Sequence, residues 1–89
     1  RVHELDQTRV SIGRTLDNDL RILDSTVSRL HATLKLNGGK VTVIDAHSRN
    51  GVFVNGIQVR FAELRDGDLL TFGHVRFRYR IGAAGGLDN

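Results

Sequence analysis

Apolar and polar residues alternate with a period of two along much of this chain. Val10 and Ile12 are interleaved with Arg9, Ser11 and Gly13, and Ala32, Leu34 and Leu36 with His31, Thr33 and Lys35. Near the far end, Val75, Phe77, Tyr79 and Ile81 alternate with His74, Arg76, Arg78 and Arg80. Successive side chains of a strand point to opposite faces, so each run predicts a strand with one face on a core and the other in water. Shorter runs at 20–23, 41–44, 52–54, 57–59 and 69–72 predict further strands. Turn signals separate them: Asn37-Gly38-Gly39, Asn55-Gly56 and Asp66-Gly67-Asp68. Asn-Gly favours a type I′ hairpin, whose two central residues both need positive φ. No segment carries a helical stripe of ten residues. Many short strands with frequent turns predict an all-β fold, a sandwich of two antiparallel sheets with short loops and no substantial helix.

Size and composition narrow the picture. Eighty-nine residues, 39% of them hydrophobic plus ten glycines, suit one globular domain with a modest core. That domain is expected over residues 1–81, and the small residues of 82–89 are expected to form a flexible tail or linker. The chain starts at Arg1 rather than methionine, which predicts a piece of something longer. With no cysteine, disulfides, thiol catalysis and cysteine-held metals are excluded. No apolar run approaches the ~20 residues of a membrane helix, and no signal-peptide layout opens the chain, so no membrane insertion and a cytoplasmic location are expected. Thirteen basic residues against ten acidic ones give +3, and of the basic ones only Lys35 and Lys40 are lysine. Arginine is a planar fork of donors that suits phosphate or carboxylate, although codon usage produces the same bias.

The polar residues cluster in loops between the regular strands, where binding residues concentrate on β scaffolds. Gly13-Arg14 closes one strand. Val27-Ser28-Arg29-Leu30-His31 precedes a second, and Ser48-Arg49-Asn50-Gly51 a third, followed by Asn55-Gly56. Guanidinium forks, hydroxyls and a primary amide are groups suited to a phosphate and the peptide backbone beside it.

Gly13-Arg14, Ser28-x-x-His31, Ser48-x-Asn50-Gly51 and Asn55-Gly56, in this order and spacing, resemble the forkhead-associated (FHA) domain from about Val10 to Ile81, and the Val-Ser-Arg-x-His-Ala stretch resembles bacterial members. The resemblance implies a two-sheet sandwich whose loops at one end bind phosphothreonine peptides without catalysis. It gives Arg14 the phosphate grip, Ser28 a hydroxyl donated to the phosphate, and Asn50 an amide paired with the peptide main chain. Arg29 meets the phosphate or the residues beside it, or faces solvent. His31 braces the loops from behind, Ser48 shapes its own loop, and Gly13, Gly51, Asn55 and Gly56 are structural. Arg49 stands where many members carry threonine or serine; it reaches the ligand or points into water. Arg29, Arg49 and Thr26 are candidates for selectivity beyond the phosphate. The family's first strand is either truncated or supplied in short form by Val2 to Leu5.

The implied function is a phosphothreonine-dependent module that recruits its host protein to targets of a Ser/Thr protein kinase. The alternative is a phosphate-independent assembly domain in a larger complex. A hydrolase would use Ser28 and His31 with Asp24 or Asp45, but neither a nucleophile elbow nor an oxyanion hole is visible, so no catalytic residue is expected. The four histidines (3, 31, 47 and 74) lack ligand spacing and no glycine-rich strand-to-helix loop is present, so neither metal nor cofactor is expected. Arg76, Arg78 and Arg80 form a basic stripe with no aromatic between them, read as charges that solubilise an edge strand rather than a nucleic-acid contact.

Overall fold

The computed structural model describes residues 2–4, 8–81 and 86–88. In it the first half of the chain forms β1 (Val2–Glu4), β2 (Arg9–Gly13), β3 (Leu20–Arg21), β4 (Ala32–Asn37), β5 (Lys40–Asp45) and β6 (Val52–Val54). The second half of the chain adds β7 (Ile57–Val59), β8 (Phe61–Glu63), β9 (Leu69–Phe72), β10 (Val75–Arg80) and β11 (Gly86–Asp88). They form a six-stranded sheet ordered β1-β11-β10-β9-β6-β7 and a five-stranded sheet ordered β3-β2-β4-β5-β8. Every pairing is antiparallel except the short β2–β3 contact, which joins Ile12 to Leu20 and Gly13 to Arg21 in parallel.

The inward residues of both sheets make one core. Val10, Ile12, Leu34 and Val43 come from the five-stranded sheet, and Val52, Leu70, Phe72, Phe77, Tyr79 and Leu87 from the other. Phe72 stacks obliquely on Phe77 at 5.9 Å between ring centres. Burial pushes the Tyr79 hydroxyl above its ordinary pKa, with the nearby charge of Asp66 adding to the rise.

Several expectations are corrected. The tail at 82–89 is not a linker throughout: Gly86–Asp88 is a strand inserted between β1 and β10, and Leu87 is fully buried. Leu87 is the one large apolar residue in a run of small ones, and a single such residue is enough to seat a three-residue strand on a core. Residues 82–85 and 89 lie outside the described residues. Arg76, Arg78 and Arg80 do point outward, but β10 sits inside its sheet, so they are not guarding an edge. Arg78 donates to the Gly67 carbonyl at 2.7 Å, and Arg80 approaches Asp88 at 4.0 Å. Ile81 is exposed because β10 ends one residue earlier. The strand β8 carries an exposed Phe61 and has no alternating pattern to announce it.

The order of the strands separates two sets of connections. Loops 14–19, 22–31 and 46–51 and the Gly73-His74 turn gather at one end. The hairpin turns at Gly38-Gly39 and Asn55-Gly56, and the turn at 65–68, lie at the other.

Candidate functional site

The loop end is assembled around His31, the one fully buried polar residue among those described. Alternation placed His31 on a water-facing side. It instead precedes β4, packs edge-on against Phe72 at 5.8 Å, and has both ring nitrogens engaged. Nδ1 accepts from the Ser28 backbone N–H at 3.0 Å, which places the ring proton on Nε2, and Nε2 donates to the Gly51 carbonyl at 2.7 Å. One imidazole therefore ties the 22–31 loop to the 46–51 loop. The same bonding takes away the lone pair that a general base would need. Asp45 accepts from the Ser48 backbone N–H and Asp24 from Thr26, so no Ser–His–Asp relay is assembled.

Arg14 follows the end of β2. Its backbone N–H donates to the Ser28 carbonyl and its Nε to the Val27 carbonyl, both at 3.0 Å. The second bond holds the guanidinium by its inner edge, and no hydrogen bond among the described residues takes its terminal nitrogens. Gly13 makes this possible: a Cβ there would lie 2.1 Å from the Arg29 carbonyl oxygen, which also accepts from Asn18 Nδ2 at 2.7 Å. Ser28 Oγ accepts from the Arg49 backbone N–H at 2.9 Å, so its own hydrogen is available to an acceptor. Within the third loop, Ser48 Oγ accepts from the Gly51 N–H at 3.0 Å. Asn50 Nδ2 donates to the Thr26 carbonyl at 2.7 Å, leaving the amide a second N–H and its Oδ1.

Thr26, read from sequence as a selectivity candidate, turns out to be a junction. Its hydroxyl donates to Asp24 Oδ1 and accepts from the His74 backbone N–H at 2.9 Å, while its carbonyl holds Asn50. The Asp24 carboxyl, held by the hydroxyl and then the backbone N–H of Thr26, has its pKa lowered. The Asp17 carboxyl has its pKa lowered too, by the Thr15 hydroxyl and then by its own backbone N–H. Gly73 closes against this junction at φ +60°, where an added Cβ would sit 2.4 Å from the Thr26 carbonyl oxygen. Neither Gly73 nor Asn18 was singled out from sequence. The Asp-x-Thr spacing of 24–26, a common side-chain-capped turn, was the available signal for the junction.

Arg14, Ser25, Thr26, Val27, Ser28, Arg29, Arg49 and Asn50 line one open groove of about 280 Å³. The structure thus brings together Arg14, Ser28, Arg29, Arg49 and Asn50, with Gly13, His31, Ser48 and Gly51 behind them. It does not bring in Asn55-Gly56. That pair forms the β6–β7 hairpin turn at the opposite end, with φ of 51° and 83°. The Asn55 side chain bonds Asp68 Oδ1 at 3.0 Å and the Leu69 N–H at 2.9 Å.

A two-sheet sandwich here presents an arginine, a serine and an asparagine from three loops at one end, donors suited to a phosphate and to the peptide backbone beside it. The profile of the FHA domain family matches residues 10–73, and the chain belongs to that family. It is 42% identical over 78 residues to the glycogen accumulation regulator GarA of Mycolicibacterium smegmatis, covering 88% of this chain and 49% of that protein. It is 36% identical over 80 residues to the oxoglutarate dehydrogenase inhibitor of Corynebacterium efficiens, covering 90% and 56%. The chain therefore spans about half the length of these curated relatives. Among solved structures, an FHA domain studied for phosphothreonine-dependent interactions superposes with a TM-score of 0.88 at 33% identity, over 92% of this chain and 85% of that one. Mycobacterium tuberculosis EmbR in complex with a low-affinity phosphopeptide superposes with a TM-score of 0.85 at 34% identity, over 89% and 21%. No helix among the described residues is long and apolar enough to cross a membrane.

Proposed function

We propose that this chain is a non-catalytic, phosphothreonine-dependent peptide-binding module that docks its host protein, in the cytoplasm, onto targets of a Ser/Thr protein kinase. The observation that carries it is the convergence of the Arg14 guanidinium, the Ser28 hydroxyl and the Asn50 amide on one groove. A phosphate of roughly −1.5 to −2 charge takes charge-assisted bonds from Arg14 and Arg29 and a bond from the Ser28 hydroxyl. The Asn50 amide supplies a donor and an acceptor to the peptide main chain, as a neighbouring strand would. FHA relatives whose structures concern phosphothreonine-dependent or phosphopeptide binding support this reading.

The site is held before any ligand arrives. Arg14 is fixed by the Val27 carbonyl, Ser28 by His31 and Arg49, and Asn50 by Thr26. Little ordering entropy is then lost on binding. A threonine methyl adds ~1 kcal/mol of burial at most, so phosphothreonine is favoured over phosphoserine by about tenfold or less unless ordering contributes.

The test is an NMR titration of the labelled domain with matched phosphothreonine, phosphoserine and unphosphorylated peptide pools. Shifts at Arg14, Ser28–Arg29 and Ser48–Asn50 with phosphothreonine alone support the module. Arg14→Ala is expected to lower affinity roughly 100-fold with the β-sheet spectrum unchanged. Silence from every pool, with the fold intact, moves the assignment to the phosphate-independent assembly domain.

A further inference from the structure

The groove holds more positive charge than one phosphate neutralises. Arg14, Arg29 and Arg49 all line it, and none of its lining residues is acidic. Asp24, bonded to Thr26, Asp17, bonded to Thr15, and Asp45, bonded to Ser48, belong to neighbouring segments and do not line it. Among the described residues the Arg29 and Arg49 guanidiniums make no hydrogen bond or ion pair, and both residues are exposed. A phosphate of roughly −1.5 to −2 charge is balanced by two guanidiniums. All three are rooted at Ser28: Arg14 bonds its carbonyl, Arg29 follows it in the chain, and the Arg49 N–H bonds its Oγ.

One guanidinium is left over, and position assigns that part to Arg49. It sits between the proposed phosphate donor and the proposed main-chain anchor, since its N–H bonds Ser28 Oγ and its chain neighbour is Asn50. A peptide seated on both must run past it.

On the reading of the groove as a phosphothreonine site, we infer that Arg49 selects ligands carrying a second anionic group close to the phosphothreonine, either a carboxylate side chain or a second phosphate. The third positive charge is a specificity element rather than a surplus on the surface. An exposed arginine–carboxylate pair of this kind changes affinity by up to about fivefold, and a second phosphate, which accepts bidentate bonds, by about tenfold. The gain shrinks as salt rises, because the pair lies open to solvent.

The experiment is calorimetric titration of three peptides alike except near one phosphothreonine: neutral flanks, an acidic neighbour, and a second phosphothreonine. Each is run on the unaltered chain, on Arg49→Gln and on Arg29→Gln. The readout is the ratio of each peptide's affinity to that of the neutral one, which cancels any general loss of binding or folding. The expected result is a ratio of about five for the carboxylate and about ten for the second phosphate. In Arg49→Gln both ratios fall to near one, while Arg29→Gln keeps them. Equal affinities for all three peptides overturn the inference while leaving phosphothreonine binding in place. Ratios that fall with Arg29→Gln instead of Arg49→Gln overturn the assignment to Arg49. Failure of every phosphopeptide to bind removes the underlying reading, a result distinct from either.

Discussion

The two ends of the sandwich reach order by different means. At the far end the turns are local. Asn55 and Gly56 adopt the paired positive φ values of a tight hairpin, and the Asn55 side chain reaches only the neighbouring turn at Asp68 and Leu69. At the loop end, short-range bonds such as Ser48 to Gly51 and Thr26 to Asp24 are joined by bonds that run from loop to loop. Ser28 bonds Arg49, Asn50 bonds Thr26, His74 bonds Thr26, and His31 joins Ser28 to Gly51. Tight turns set register with two residues each. A groove for an extended ligand needs longer loops, and longer loops remain in one conformation only when tied to one another. Arg14, Ser28 and Asn50, proposed to meet the ligand, are thus held by contacts distant in sequence.

This contrast can be broken by choosing where to cut. His31→Ala has the largest expected effect. It leaves the Ser28 N–H and Gly51 carbonyl without their partner and opens a cavity beside Phe72, costing about 3 kcal/mol in denaturant unfolding. Phosphopeptide affinity falls with it even at temperatures where the chain is fully folded. Gly73→Ala comes next. It pushes a methyl onto the Thr26 carbonyl at a positive φ, and is expected to cost about 2 kcal/mol and to weaken binding by displacing the anchor of Asn50. Asn55→Ala costs about 1 kcal/mol through its turn conformation and lost bonds, but peptide affinity stays as it was. Equal binding losses from Asn55→Ala and Gly73→Ala would show that the two ends are not independent.

Acid gives the smallest effect. The Asp24 pKa is lowered in the folded chain, so its contribution to stability is complete above the ordinary aspartate value of about 3.9 and is lost as pH falls through the lower folded value. An NMR pH titration should show the Thr26 and His74 amides moving together in that window, below 3.9, while the Gly56 amide is still. Movement of Thr26 centred above 3.9 would contradict the assigned direction.

What was legible in the sequence divides along the same line. The alternating strands and the Asn-Gly hairpin were readable because their causes are short-range: period two for a half-buried strand, positive φ for a turn. The residues of the groove could be proposed through their order and spacing. Among their supports, the resemblance gave His31 a bracing role while alternation alone assigned it to water, and the packed fold shows it buried with both nitrogens used. Gly73 and Asn18 matter through backbone atoms far away in sequence, which no local pattern encodes. Leu87 was missed because glycine and alanine around it outweighed the one side chain that packs.

That last strand also bears on how the molecule comes apart. Among the described residues β1 pairs only with β11, Val2 facing Asp88 and Glu4 facing Gly86, so this contact closes a loop almost as long as the chain. β11 in turn rests on β10. Contacts of such separation form late and open early, because chain entropy opposes them most. Amide hydrogens of β1 and β11 should therefore exchange with solvent in a sub-global opening well below the free energy of complete unfolding. The loops that line the groove lie within residues 13–51, with 73–74 bracing Thr26 from behind, and would ride through that opening intact. A melting curve can thus begin its descent while the groove is still whole.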